Sequence, residues 1–197
     1  MKRYRHVLIS IAMAALASTC ASVTHADDRP TGVDRKPDVV FVPTPEPVVE
    51  KMLSMAKVGP NDIVYDLGCG DGRIPIAAVR DFGAKAGVCI DIDPERIKEA
   101  RANVKRAGLE NKVEVRHADM FKVDTSPATV VTLYLLEELN VRLRPKLQRE
   151  LRNGARIVSQ SFSMGDWTPV AQARVDGRPV YLWTITKQEK AVRQGAR

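Results

Sequence analysis

The stretch VYDLGCGDGR places three glycines at alternate positions behind an apolar run and beside two carboxylates. Gly68, Gly70 and Gly72 have no Cβ, so a ligand can approach the main chain closely and the backbone can adopt positive φ. Asp66 and Asp71 add negative charge to the same loop. This combination predicts a binding loop for a ligand that carries positive charge.

The spacing of the glycines separates two classes of nucleotide ligand. Dinucleotide-binding loops follow G-x-G-x-x-G, in which the third glycine lets helix pack on strand and the helix N-terminus receives pyrophosphate. Arg73 stands at the position of that third glycine, and the two aspartates would repel phosphate groups. A cationic ligand without phosphate fits better, and S-adenosylmethionine, with its sulfonium and ammonium groups, is such a ligand.

Two further acids follow the next two predicted strands. Asp91 ends the strand AGVCIDI, 19 residues after Gly72, near the distance at which an acid binds ribose hydroxyls in nucleotide-binding folds. Asp119, in HADM, is placed to accept a hydrogen bond from an adenine amino group. The predicted cofactor-binding residues are therefore Asp66, Gly68, Cys69, Gly70, Asp71, Asp91, Ile92, Asp119 and Met120.

Alternating strand-like and helical segments predict how these acids come together. The predicted strands are DIVYDL, AGVCIDI, KVEVRHA, ATVVTLYLL and ARIVSQSF, followed by a strand pair around the turn Asp176-Gly177. Helices are predicted over 73–82, in DPERIKEARANVKRAG with Asp93 as N-cap, and in ELNVRLRPKLQRELRNG with an interruption near Pro145. The pattern predicts an α/β fold with a doubly wound, mostly parallel sheet and an antiparallel C-terminal pair, which binds ligands at the carboxyl ends of its strands.

The first 26 residues differ from the rest of the chain. Basic residues precede an apolar run from Val7 to Ala17, and small residues follow up to Ala26. This order is typical of a secretory signal, and the run is shorter than the ~20 residues that a membrane-spanning helix needs. We expect an exported, periplasmic protein; a retained membrane anchor through residues 7–23 and a mitochondrial-type presequence are the alternatives.

The remaining chain predicts one domain with short flanks. Charge, proline and glycine predict a linker over 27–40, followed by a globular domain over 41–187 and a tail over 188–197. The first 26 residues hold three basic residues and no acid, so their removal lowers the formal charge from +7 to +4. A charge this small does not favour nucleic acid as a partner, and we expect a monomer.

Cysteine and histidine are scarce beyond the predicted leader. Cys69, Cys89 and His117 are the members of that set. Two cysteines are too few for a disulfide framework, and one histidine with them is too few for a metal site. We therefore expect no bound metal, and we interpret Cys69 as a small filler beside the glycine turn.

Taken together, DLGCGDG, GVCIDID and HADMF resemble class I S-adenosylmethionine-dependent methyltransferases, which implies a Rossmann-like seven-stranded sheet. The stretches FVPTPEPVVEKML, DLGCGDGRIPIAA and ATVVTLYLLEELNVRLRPKL are similar, more narrowly, to the protein-lysine N-methyltransferases that modify adenine nucleotide translocase and the ATP synthase c-subunit. The resemblance covers residues 38–186. It implies that Thr44 closes over the methionine end of the cofactor. It also implies that the substrate is a lysine of a protein, with membrane-associated proteins among the candidates. Glu137 departs from the family pattern, in which proline usually stands there.

Transfer of a methyl group from a sulfonium to an amine depends mainly on alignment of donor and acceptor. We expect an apolar and aromatic acceptor channel after the fourth strand, with Tyr134 and Leu135 as its wall and Glu138 to take a proton or hold the arriving ammonium. The Asn/Asp-Pro-Pro-Tyr turn of adenine and glutamine methyltransferases is missing from LYLLEELN. A small-molecule methyltransferase and a non-catalytic S-adenosylmethionine-binding module are the alternative functions.

Overall fold

The computed structural model of the protein describes residues 36–186. The predicted leader over 1–26, the first part of the predicted linker and the predicted tail over 188–197 lie outside the described residues. The order of the helices and strands follows the prediction from sequence, and they alternate up to the third strand. They are α1 (Glu46–Met55), β1 (Ile63–Leu67), α2 (Arg73–Arg80), β2 (Ala86–Asp91), α3 (Pro94–Arg106), β3 (Val113–His117), β4 (Val130–Leu133), α4 (Glu137–Glu150), β5 (Arg156–Gln160), β6 (Ala171–Val175) and β7 (Arg178–Thr184).

Seven strands form a single sheet in the order β3-β2-β1-β4-β5-β7-β6. The first five strands in this order, β3, β2, β1, β4 and β5, are parallel to one another. Strand β7 pairs antiparallel with both β5 and β6. The predicted doubly wound sheet with a reversed C-terminal pair is confirmed. Strand order reverses between β1 and β4, and this is the position at which an open parallel sheet leaves a crevice for a ligand.

The central strands of the sheet are buried on both faces. Along β1, Val64 belongs to an apolar cluster with α1 and α2, while Tyr65 and Leu67 belong to a second cluster with α4. Successive side chains of a strand point to opposite faces, so an apolar run such as IVYDL is what a two-sided core requires. Asp66 shares the face of Val64 and is the one charged residue of that strand.

Helix α4 continues through Pro145 without the predicted interruption. A proline inside a helix removes one hydrogen bond and costs about 3 kcal/mol. Leu143 and Leu147, on either side of it, are fully buried in the core, and their packing offsets that cost. The tertiary contacts of the helix thus override its local sequence preference.

Local signals fix other element boundaries. The Asp93 carboxylate accepts a hydrogen bond from the Glu95 backbone N–H at 2.9 Å, which confirms the predicted N-cap of α3. Asp176 and Gly177 both have positive φ, 49° and 76°, as a two-residue hairpin turn between β6 and β7 requires. Within residues 36–186, every helix is too short or too polar to cross a membrane.

Candidate active site

The loop between β1 and α2 is hydrogen-bonded to the end of β2. The backbone N–H groups of Gly68 and Cys69 donate to the Ile90 carbonyl at 2.8 and 3.1 Å. The Gly70 N–H donates to Asp91 Oδ2 at 2.8 Å. The three glycines of the loop have φ values of 81°, 55° and 79°, which favour glycine over any residue with a Cβ. The loop therefore presents bare main chain at the carboxyl edge of the sheet.

Asp91 is held in a fixed orientation by main-chain donors. Its second oxygen, Oδ1, accepts from the Asp93 N–H at 2.9 Å. Burial raises the pKa of Asp91, and the backbone hydrogen bonds from Asp93 and Gly70 oppose that rise. Each oxygen retains a further lone pair, so the carboxylate can accept hydrogen bonds from a ligand diol. This geometry suits the predicted contact with ribose.

Asp66 lies deeper, at the floor of the crevice. Its side chain is buried, and the Thr132 hydroxyl donates to Asp66 Oδ1 at 2.6 Å. Burial raises the pKa of Asp66 to about 7; the Thr132 hydrogen bond opposes the rise, and the charges of Asp91 and Asp71 add to it. A positively charged ligand above Asp66 would stabilise its ionised form.

Asp71 already has a cationic partner within the chain. Arg73 Nε and Nη2 donate to the two Asp71 oxygens at 3.0 and 2.6 Å. Arg73 Nη1 donates to the Thr44 carbonyl at 2.9 Å. The sequence interpretation, in which Asp71 offers its charge to the ligand, omits this ion pair. Arg73 instead links the glycine loop to the segment before α1.

The segment before α1 covers the glycine loop. Residues 37–42 line the pocket above the loop, and a Cβ built on Gly70 would lie 2.1 Å from the Phe41 ring. The Arg96 guanidinium lies over the same ring, 4.9 Å from its centroid. The sequence predicts that residues 37–40 are part of a linker, but the structure places them in the wall of the pocket. The apolar run VVFV inside that charged segment was the signal that could have revealed it.

Cys69 and Cys89 form a disulfide, with their Cα atoms 5.2 Å apart. The interpretation of Cys69 as a simple filler is therefore wrong. The strand register places Cys89 beside Asp66, and the glycine loop folds back over that pair so that Cys69 reaches Cys89. Counting cysteines could not detect this proximity, since one disulfide needs only one pair. The bond ties the loop to β2.

One pocket brings together almost all the predicted site residues. Asp119, held by a hydrogen bond from the Phe121 N–H at 3.0 Å, lies in its wall. Gly70 lies beneath Phe41 and does not line the pocket surface, and Glu138 is exposed on the first turn of α4. The assigned roles of these residues stay predictions. The predicted residues that line the pocket are Thr44, Asp66, Gly68, Cys69, Asp71, Asp91, Ile92, Asp119, Met120 and Tyr134.

The donor set fits the predicted cofactor. Carboxylates at or just after the ends of β1, β2 and β3 line the pocket, and they would face a nucleoside that bears a sulfonium, an ammonium, a ribose diol and an adenine amino group. Asp66 would hold the cationic end, Asp91 the ribose and Asp119 the adenine. Within residues 36–186, no group of three or more His, Cys, Asp or Glu side chains is arranged to hold a metal ion.

Comparison with known proteins agrees with this geometry. The family model of the ANTKMT methyltransferase domain matches residues 66–171, more than half of the chain. The chain belongs to the ANTKMT methyltransferase family. A protein-lysine N-methyltransferase of Saccharolobus islandicus is 47% identical over 153 residues, which are 76% of this chain and 95% of that protein.

Two further comparisons extend this result. The mouse adenine nucleotide translocase lysine N-methyltransferase is 37% identical over 62% of this chain. The match covers about half of that relative, 53% of its length. An RNA methyltransferase of Salinibacter ruber, crystallised with S-adenosyl-L-homocysteine, has a TM-score of 0.72 and 51% identity, and the match covers 74% of this chain and 95% of that one. The protein is therefore an S-adenosylmethionine-dependent methyltransferase. Its cofactor supplies an electrophilic methyl group on sulfur.

Proposed function

We propose that the enzyme transfers a methyl group to the side-chain amine of a protein lysine. The observation that carries this proposal is the 47% identity to a protein-lysine N-methyltransferase that the chain matches along 95% of its length. The mouse relative is likewise named for a lysine of a protein. A match that spans nearly the whole of a relative supports a shared acceptor class better than the shared fold does.

The acceptor side of the pocket suits a neutral amine. Tyr134, Leu135 and Leu139 line it, and Leu135 is buried. A lysine with a pKa of about 10.4 needs roughly 4.6 kcal/mol to lose its proton near pH 7. An apolar channel beside a cationic cofactor disfavours the ammonium form and lowers that cost. Orientation within this channel, rather than a strong base, is the contribution that the chain makes.

A second candidate function is RNA methylation, because the Salinibacter ruber relative carries that name at 51% identity. The charges around the pocket favour the protein acceptor. The cations that line it, Arg73 and Arg96, are each engaged, Arg73 by Asp71 and Arg96 by Glu99 and the Phe41 ring. Binding of an RNA backbone uses cations that are free to neutralise phosphates.

We further propose that the protein is exported, with cleavage after Ala26. The order of basic, apolar and small residues over 1–26 supports export. The Cys69–Cys89 disulfide adds support, because such bonds persist in oxidising compartments. Mass spectrometry of the native N-terminus tests this proposal, and an intact Met1 on the mature protein would contradict it.

The acceptor class is tested with tritiated S-adenosylmethionine. Purified enzyme is incubated with envelope proteins and, separately, with RNA from the source cells. We expect acid-stable label that protease removes, RNase leaves unchanged and amino-acid analysis recovers as methyl-lysine. The control is Asp91→Ala, which should lose cofactor binding in calorimetry and give no label. Label that RNase removes would instead establish the second candidate.

A further inference from the structure

The chain makes an unusual turn where β5 ends. Ser161 has a φ of 66° although it is not glycine, and the Phe162 N–H donates to the Gln160 carbonyl at 2.8 Å. This is a three-residue turn of the strained γ type. A non-glycine residue held at positive φ costs on the order of 1–3 kcal/mol, and such residues cluster at functional sites.

The Gln160 side chain at this turn is fully buried and without a hydrogen-bond partner. Neither its amide oxygen nor its amide nitrogen has a partner among the described residues. Val158 and Val180, its neighbours on the same face, belong to the apolar cluster beneath α1. Each unsatisfied buried polar group costs about 1–3 kcal/mol. A buried amide with neither polar atom paired therefore calls for an explanation, and the position of Gln160 beside the cofactor pocket offers a functional one.

Gln160 lies next to the predicted acceptor wall. Leu133 of β4 is opposite Ser159 of β5 in a parallel register, so the next residues along, Tyr134 and Gln160, are neighbours at the carboxyl edge. Tyr134 lines the cofactor pocket. The Phe162 ring faces it, with the ring centroids 6.5 Å apart and the planes inclined by 26°.

Asn140 of α4 holds this turn by hydrogen bonds. Its amide nitrogen donates to Ser159 Oγ and to the Phe162 and Ser163 carbonyls, at 3.2, 3.2 and 3.1 Å. The residue is fully buried. The amide has two N–H hydrogens, which these three acceptors share. The contacts fix the conformation that carries Gln160 and Phe162, so the turn is a built feature of the fold.

We propose that the turn after β5 is the acceptor subsite of the enzyme. Tyr134 and Phe162 flank the incoming side chain. Gln160 is fully buried beside them and outside the pocket lining, so its amide turns toward the pocket when the acceptor enters, and its oxygen then accepts a hydrogen bond from the target amine. This inference rests on the proposed function, since it takes the acceptor to be an amine. A neutral amide orients the amine, whereas a carboxylate at the same place would stabilise ammonium and raise the amine pKa.

Gln160→Met tests the subsite, with Gln148→Met as its matched control. Gln148 is a second buried glutamine whose amide oxygen is without a partner among residues 36–186, but it lies near the other end of α4. We expect both variants to melt at or above the wild-type temperature and to bind S-adenosylmethionine within twofold of wild type. Only Gln160→Met should lower kcat for methyl transfer, by at least tenfold.

Two further variants separate orientation from packing. Gln160→Glu should move the rising limb of the pH–rate profile about one unit higher, because the carboxylate stabilises ammonium. Phe162→Leu should raise KM for the protein acceptor more than it lowers kcat. A Gln160→Met enzyme with wild-type kcat and KM overturns the proposal. So does a fall in melting temperature and cofactor affinity together, which would mean that the amide serves the fold.

Failure of this inference is distinguishable from failure of the proposed function. Protein-lysine transfer that Gln160→Met leaves unchanged overturns the subsite alone. Transfer by the wild-type enzyme to RNA overturns the lysine proposal and, with it, the amine contact.

Discussion

The Thr132 hydroxyl donates to the Asp66 carboxylate at 2.6 Å and joins β4 to β1 directly beneath the pocket. Burial holds the pKa of Asp66 at about 7, so the group is partly protonated near neutral pH. A cationic cofactor favours the ionised form. We therefore expect cofactor affinity to rise with pH through about 7 and to level off above it. Below that pH, cofactor binding should release one proton from Asp66.

Calorimetry between pH 5.5 and 8.5, in buffers of different ionisation enthalpy, measures this release. Asp66→Asn is the control: it keeps an oxygen for Thr132 but cannot titrate. We expect weaker binding in Asp66→Asn and a pH dependence that retains only the titration of the ligand itself. An identical pH dependence in the variant and the wild type would show that Asp66 is not the titrating group.

The same carboxyl makes the stability of the cofactor-free protein pH-dependent. Its pKa in the folded state, about 7, exceeds the 3.8 of an unperturbed aspartate. Between these values the folded state binds more protons than the unfolded state, so the free energy of unfolding falls as pH rises from 4 to 7. The loss is on the order of 4 kcal/mol at most. Urea unfolding at several pH values should show a shallower decline in Asp66→Asn.

The Cys69–Cys89 disulfide closes a loop across 20 residues of sequence. A disulfide that closes a loop of that size raises the free energy of unfolding of the protein by about 3 kcal/mol. Because the bond also anchors the glycine loop to β2, reduction should lower both the free energy of unfolding and the affinity for S-adenosylmethionine. The Cys69→Ser/Cys89→Ser protein should match the reduced wild type and be indifferent to reductant. Two free thiols by mass spectrometry of the native protein would contradict the bond.

The arrangement of acids at the site could be predicted from sequence. Asp66, Asp91 and Asp119 each follow a strand pattern, and parallel topology brings the carboxyl ends of strands to one edge. Residue type and position along the chain therefore suffice to group them. The N-cap Asp93 and the turn at Asp176 are local signals of the same kind and are confirmed.

Other features depend on directions that a sequence does not encode. Glu138 and Leu139 are adjacent in sequence, but a helix turns by about 100° per residue, and Leu139 lines the pocket while Glu138 is exposed. Phe41 reaches Gly70 only because the chain before α1 folds back over the loop. The pairing of Arg73 with both Asp71 and Thr44 likewise follows from tertiary geometry.

Gly70 and Gly83 form a matched pair for the contact with Phe41. Both have positive φ, 55° and 67°, but a Cβ on Gly70 would lie 2.1 Å from the Phe41 ring, whereas one on Gly83 meets no atom within 4 Å. Gly83→Ala should cost only the roughly 1–2 kcal/mol of positive φ. Gly70→Ala should cost that amount and also displace Phe41, lowering cofactor affinity at least tenfold. Equal calorimetric Kd values for the two variants would exclude a role for this contact.

Arg73 links the glycine loop to the segment before α1, and Arg80 provides its control. Arg73 bonds Asp71 and the Thr44 carbonyl together, whereas the side chain of Arg80 bonds, among residues 36–186, only its exposed neighbour Asp81. Partly exposed ion pairs contribute about 1 kcal/mol or less, so neither Arg73→Lys nor Arg80→Lys should greatly change the urea midpoint. Lysine cannot make the forked contacts of arginine. In Arg73→Lys alone we expect faster amide exchange over residues 41–49 and weaker cofactor binding; exchange equal to that of Arg80→Lys would show that the link does not hold the segment.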